Sequence, residues 1–471
     1  MVFSSITFLV YFLPFFLLGY YLVPDRFKNR WLVLGSLLFY SWGAPKFLPA
    51  VIVSCLIDFI CALNYKKKYG KFWFVFSIVS NVLMLVYFKY ANFFAENINS
   101  LTEILGGNRF QWSAIILPIG ISFLTFQKIS YLTDVYRGDC EPQRNFTNYL
   151  LFIILFPHSI AGPIIRYKEI SEQLVNRFKL ITPDYIILGL TQFIIGLSKK
   201  VLLSNTLGEQ ANSIFNLNLN ELDFTKSWIG ILSYTFQIYL DFSGYSDMAI
   251  GLGKMMGFRI PVNFNFPYTS KSITEFWKRW HITLGNWMKD YLYIPLGGNK
   301  VTINRTYINL LVVFILSGFW HGASWSFIIW GAYHGSFLII ERLSLSKILK
   351  RIHPSISVTY TFLVVMIGWV FFRSAEYNDA ILFIRKMFDF GRIDFAFLST
   401  LNNRYYFVLI TAFVFSFQSE KIQLQLNAVY EKQITIKGFI WITYFALLLL
   451  YLLNLGELFA TGFNPFIYFK F

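Results

Sequence analysis

Charge is scarce in this chain. Asp, Glu, Lys and Arg make up 14% of the 471 residues, where a soluble protein of this length carries about a quarter. Cysteine is nearly absent. Cys55, Cys61 and Cys140 make an odd number, and two of them fall inside an apolar stretch. That excludes a disulfide framework and a zinc-binding cysteine pattern and leaves small apolar packing roles. No G-x-S-x-G elbow, P-loop or dinucleotide-binding glycine pattern occurs, so neither a serine nucleophile of this chain nor a nucleotide fold is indicated. A cleavable leader is not expected either. The N-terminus has no basic start and no small-residue cleavage site, and its apolar run from Ile6 to Val23 is long enough to span.

In place of charge the chain has hydrocarbon and rings. It is 56% hydrophobic, with mean hydropathy +0.52 and 54 Phe beside 29 Tyr, a composition suited to lipid contact and interfacial aromatic belts. This predicts an all-α polytopic membrane protein. The net charge of +16 is not a nucleic-acid signal, because the basic residues cluster in short segments between apolar runs. Arg26, Lys28 and Arg30 form one such cluster and Lys66, Lys67, Lys68 and Lys71 another. Under the positive-inside rule both face the cytoplasm, which puts the N-terminus outside and makes 31–64 a hairpin bent at Gly43-Ala44-Pro45.

Residues 72–90 predict a further span, and 91–111 a polar outer loop. Spans follow near 112–134, 149–165, 185–203, 228–253, 307–340, 358–372, 404–418 and 437–456. Hydrophobic windows then give roughly ten to twelve crossings. Gly, Pro and ionisable residues inside several of them point to broken or re-entrant helices facing a cavity. No repeat or soluble segment interrupts the pattern, so 1–471 reads as a single membrane domain.

One region departs from this greasy background. Ser272 and Glu275 form a capping box. Ile273, Phe276, Trp277, Trp280, Leu284, Trp287, Met288 and Tyr291 follow at three- and four-residue steps, which predicts one helix with a single apolar face. Its other face carries Glu275, Lys278, Arg279, Asn286 and Lys289, and His281 lies on the border. So charged a helix should lie at the interface or dip in from one side.

The next apolar run, Tyr307 to Trp320, would be about 21 Å long as a helix, short of the about 30 Å needed to cross. That predicts a submerged His321, and the whole run to Ile340 should turn near it, among Gly318, Gly322, Ala323 and Ser324. An imidazole there suits deprotonation of a hydroxyl near neutral pH. It equally suits a structural hydrogen bond to a neighbouring helix, and spacing alone leaves both open. His281 on the same grounds reads as an interfacial anchor. His158, beside Pro157, is a candidate helix-break ligand, His334 is off the face of His321, and His353 sits in a basic loop. No pair has metal-ligand spacing, so no metal is expected. Asp241 and Asp247 inside an apolar run could relay protons in a transporter. As partners for a buried Arg, or as caps of a broken helix, they would be structural.

Several blocks in order carry a resemblance. They include Leu117-Pro118-Ile119-Gly120-Ile121-Ser122-Phe123, Ala161-Gly162-Pro163-Ile164, Tyr239-Leu240-Asp241-Phe242-Ser243-Gly244-Tyr245-Ser246-Asp247, and Phe276-Trp277-Lys278-Arg279-Trp280-His281. Asp290 through Asn299, Ser317-Gly318-Phe319-Trp320-His321-Gly322 and the closing Phe466-Ile467-Tyr468-Phe469 complete the set. Together they resemble the membrane-bound O-acyltransferases, and within them the bacterial alginate O-acetyltransferase branch.

The resemblance implies a ring of tilted helices around a thinned centre with a tunnel, and a core at about 228–341. It implies His321 as the catalytic histidine and His281 as the second active-site position. Trp280, Arg279, Lys278, Trp320, Asp290 and Asn299 become candidates for contacts to substrate or acyl-CoA, with Lys300 and Arg305 further candidates for its phosphates. It also implies cytoplasmic acetyl-CoA as donor with no bound cofactor, a secreted or anchored SGNH-hydrolase-like acetyltransferase as partner, and the bacterial inner membrane as location. The glycan could be alginate-like, or peptidoglycan, cellulose or another surface polymer.

Overall fold

Glycine and proline bound two of the early helices. The Ile121–Arg137 helix lies between Gly120 and Gly138, both left-handed at φ 76° and 82°, the backbone region glycine enters without steric cost. The Asp25–Gly43 helix stops at Ala44, and Pro45 opens the turn into Leu48–Leu63. The bend expected at 43–45 is therefore present. A computed structural model describes residues 1–391, 393–418, 437–462 and 467. Among these, every regular element is helical. Of the closing 466–469 block, only Ile467 falls within the described residues.

Six described helices are long and apolar enough to cross a membrane: 45–63, 70–104, 183–215, 303–321, 354–373 and 441–461. Three expectations need correcting. The run 112–134 is helical only from Ile121. The segment 91–111 is not simply a polar loop, because the helix begun at Gly70 continues through Ala91–Ile104. The run 149–165 is not one span. Its helix closes at Ile154, a single turn, Phe156–Ser159, follows Leu155, and 160–166 is irregular. Pro157 has no N–H to give and can sit only in the first turn of that new helix.

The chain packs as two compact units, one of residues 1–2, 7–182 and 253–260, the other of 3–6, 183–252 and 261–471. Inside the first, Phe156 is the centre of a ring cluster with Phe8, Phe12, Phe16 and Phe39. A buried Lys128–Asp58 ion pair at 3.0 Å lies among its helices, and Asn81 also donates to Asp58.

The second unit is built around residues 224–252 of the 32-residue helix Phe224–Met255, most of which from Ser233 on are buried. Helix Pro183–Ser198 lies against it backbone to backbone. A Cβ on Gly196 would fall 2.5 Å from the Gly244 carbonyl oxygen, and one on Gly251 the same distance from that of Gly189. Small residues seven apart on both helices thus replace hydrophobic contact with close van der Waals packing. The approach brings Lys199 to Asp247 at 2.6 Å and Lys200 to Asp241 at 2.7 Å, the second pair almost wholly buried. The expected partner for these carboxylates was arginine; the structure supplies two lysines. The ε-ammonium reaches along a flexible stem, which suits a gap between two closely packed helices.

Candidate active site

His321 is the last residue of helix Ile303–His321. The chain then turns through Gly322, Ala323 and Ser324 and returns as helix Trp325–Ile340, so the turn expected near His321 is present. The turn is tight because Gly322 has no side chain: a Cβ there would be 2.1 Å from the Phe327 ring. The two helices also cross at glycine. A Cβ on Gly318 would meet the Phe327 carbonyl oxygen at 2.2 Å, and one on Gly331 that of Phe314 at 2.3 Å. The imidazole of His321 is 3% exposed and lies among rings, with centroids of Trp320, Phe372 and Trp330 at 4.9, 5.2 and 5.3 Å.

His281 reaches the same place by an unexpected route. The segment 272–291 is not one amphipathic helix. It is two short ones, Ile273–Arg279 and Ile282–Met288, separated at Trp280 and His281, and a π turn, Lys289–Tyr293, follows. His281 adopts φ 45° and ψ 51°, one of two non-glycine residues with positive φ among the described residues. A left-handed conformation costs an L-residue roughly 1–2 kcal/mol and persists only where surrounding contacts enforce it. The enforcing residue is Asn263. Its Oδ1 faces His281 Nδ1 at 3.2 Å and accepts from the Thr283 backbone N–H at 3.2 Å and the Thr283 hydroxyl at 2.8 Å. Its backbone carbonyl takes the Ile282 N–H, and its amide donates to Ser246 Oγ at 3.3 Å.

This network fixes a tautomer. The Asn263 oxygen has no hydrogen to give, so a hydrogen bond at this 3.2 Å contact requires the proton on Nδ1 and leaves the lone pair on Nε2. His281 lies outside the six apolar spanning helices, and burial lowers its pKa from 6.5 to about 3, which keeps the ring neutral. Its ring and that of Phe242 meet nearly perpendicular with centroids 4.7 Å apart, and its centroid is 6.4 Å from that of His321. Two buried imidazoles at this separation can both contact one small reacting group.

The other sequence-predicted residues divide. Trp320 joins the pair, with His281 6.3 Å from its ring. Trp280 lies behind His281 in an aromatic core with Trp369 at 4.9 Å and Phe264 at 5.0 Å. Arg279 is engaged by Glu275 at 2.9 Å and by the Asn265 carbonyl, so it holds its own helix in place. Lys278 is exposed, and Asp290 is in the π turn that follows. Asn299 accepts from Tyr293 and Arg342, shaping the loop before helix Ile303–His321. Lys300 and Arg305 flank the start of that helix, about 27 Å from His321 by helical rise. Arg279 and Asn299 are thus engaged within their own surroundings, and Lys300 and Arg305 lie about a helix length from His321.

His158 is buried against Gln127, and His353 caps helix Pro354–Arg373 through Ser355 N–H. Sequence reasoning missed Asn263, Trp330 and Phe372. Asn263 lies in an irregular segment, Val262 to Phe266, where no periodicity marks it, and the two rings are indistinguishable from other aromatic core residues.

The sequence is also similar to that of known proteins. A profile of the MBOAT, membrane-bound O-acyltransferase, family matches residues 142–372, which contain both histidines and Asn263. The chain is 45% identical over 397 residues to "Probable alginate O-acetylase AlgI" of Azotobacter vinelandii, covering 83% of this chain and 79% of that protein. The chain belongs to the membrane-bound O-acyltransferase family. It is an acyltransferase and a multi-pass membrane protein. It is also 36% identical over 437 residues to "Peptidoglycan O-acetyltransferase" of Helicobacter pylori, covering 85% of this chain and 82% of that one. A shorter match, 32% over 231 residues, covers 47% of this chain and 58% of "Teichoic acid D-alanyltransferase" of Bacillus subtilis.

Proposed function

We propose that this protein is an O-acetyltransferase of the bacterial inner membrane. It takes acetyl groups from cytoplasmic acetyl-CoA for O-acetylation of an extracytoplasmic, alginate-like polysaccharide, through a secreted SGNH-hydrolase-like acetyltransferase that receives the acetyl group. The whole chain acts as one domain, a ring of tilted helices around a tunnel to His321. The observation that carries the reading is the buried His281–His321 pair, 6.4 Å apart, in a chain 45% identical to a protein named for alginate acetylation.

In this reading His321 removes the proton from the acceptor hydroxyl as its oxygen attacks the thioester carbonyl. The C–S bond breaks, and the thiolate of coenzyme A leaves with the proton that His321 had taken. His281 presents a lone pair at Nε2, so it suits accepting a hydrogen bond from the acceptor hydroxyl better than donating one to the thioester oxygen. It lines the nucleophile up for His321.

The test is His321→Ala and His321→Gln in the native host. Both variants are expected at wild-type levels in the membrane with polymer acetylation lost. Retained acetylation in either would overturn the histidine mechanism. The Helicobacter relative supports a second acceptor, peptidoglycan. Deleting the protein and measuring acetate released from purified exopolysaccharide and from purified sacculi separates the two.

A further inference from the structure

Glu341 is an acid in an apolar setting that the reaction above does not use. It follows helix Trp325–Ile340 and is 1% exposed. Its partners lie 67 and 68 residues back in the sequence. Oε1 accepts from the Ile273 N–H at 2.6 Å, and Oε2 accepts from the Thr274 N–H at 2.9 Å and the Thr274 hydroxyl at 2.7 Å. Ser272 Oγ takes the Glu275 N–H at 3.0 Å. The first three amides of helix Ile273–Arg279 are thus satisfied, two of them by a carboxylate from another helix, where the helix dipole favours negative charge.

That helix has seven residues, too few to hold together alone in water, and it leads directly into the break at His281. The apolar periodicity from Ile273 to Tyr291 fits an unbroken helix, which would turn His281 out of its left-handed conformation. The broken form is held beyond the break by Asn263 and at the helix start by Glu341. The helix is therefore a strut clamped at both ends. The return helix that carries Glu341 also sets the other wall of the site. Trp330 and His334 are one turn apart on it, and both contact Trp277 of the strut, at 5.5 and 5.0 Å, while Trp330 also touches His321.

We propose that Glu341 is a positioning residue for His281: its carboxylate fixes the start of the short helix so that the imidazole at the far end stays aligned with His321. This rests on the reading that His281 serves the acyl transfer. The test uses the full-length protein in membrane vesicles from its native host, where the acceptor is present. Coenzyme A release from acetyl-CoA is measured per folded molecule for Glu341→Gln, Glu341→Ala, His281→Ala and the doubles of His281→Ala with each Glu341 variant.

Glu341→Ala is expected to lower kcat at least tenfold with the KM for acetyl-CoA changed less than twofold. Glu341→Gln should fall in between, since an amide oxygen still accepts from one N–H while its NH2 faces the other. Each double should be no slower than His281→Ala alone, because the carboxylate acts through that ring. Wild-type turnover in Glu341→Ala, or a double slower than His281→Ala by the full factor of the Glu341 change, would overturn the proposal. If Glu341→Ala does not fold, the near-isosteric Gln variant decides by the same double comparison. Wild-type turnover in His281→Ala would instead remove the reading beneath it.

Discussion

Asn263 holds His281 from the side: its Oδ1 stands 3.2 Å from the ring Nδ1 while also taking both donors of Thr283. One side-chain oxygen therefore sets the tautomer of a buried imidazole and the backbone that carries it. Replacing Asn263 with Ala removes the oxygen that three buried donors share, at about 0.5–1.5 kcal/mol for each hydrogen bond lost. The expected result is a clear drop in thermal midpoint and loss of most turnover. Asn263→Asp keeps an acceptor in place and should fold at least as well as Asn263→Ala. A differential-scanning measurement in detergent, with Ala at wild-type stability, would refute this account of the network.

The backbone at His281 permits a test independent of its ring. Glycine enters φ 45° without penalty, whereas alanine pays roughly 1–2 kcal/mol. Both substitutions remove the imidazole, so both should be poor catalysts. His281→Gly should nonetheless be more stable than His281→Ala, by about 1 kcal/mol after glycine's greater unfolded freedom is counted. Equal stabilities, or Ala ahead, would mean the left-handed conformation is not held in the working protein.

Asp241 and Lys200 pair in the interior, where Lys200 also donates to Asn205 at 3.0 Å. The other oxygen of Asp241 accepts the Ile467 backbone N–H at 2.9 Å. Removing one partner of such a pair strands a buried charge and costs about 3–5 kcal/mol. Asp241→Asn and Lys200→Met should each lower protein yield sharply, and the double should recover part of the loss. If these carboxylates instead relayed protons, Asp241→Asn would abolish activity in a protein of normal stability.

Much of this was legible in the sequence. The N-cap at Ser272, the bend at Gly43 to Pro45 and the turn after His321 depend on residues within one or two turns of each other, and local chemistry decides them; the reciprocal half of the capping box is displaced by one residue, since the Glu275 carboxylate accepts from the Lys271 N–H. The break at His281 was not legible. Its neighbours form a periodic apolar stripe that satisfies a continuous helix, and the contacts that override it come from Asn263 and Glu341, far along the chain. The same holds for Asp241 and Asp247: a buried acid announces that it needs a partner, but only packing decides that lysine answers.

Where helices Ile303–His321 and Trp325–Ile340 cross, peptide lies directly on peptide at Gly318 and Gly331, with no layer of flexible side chains between them. Sliding one past the other would drive carbonyl oxygens into α-carbons, so the hairpin can move only as a rigid body. The imidazole at its tip is in that sense a fixed post, and admitting a donor or releasing a product must be the work of segments outside this crossing.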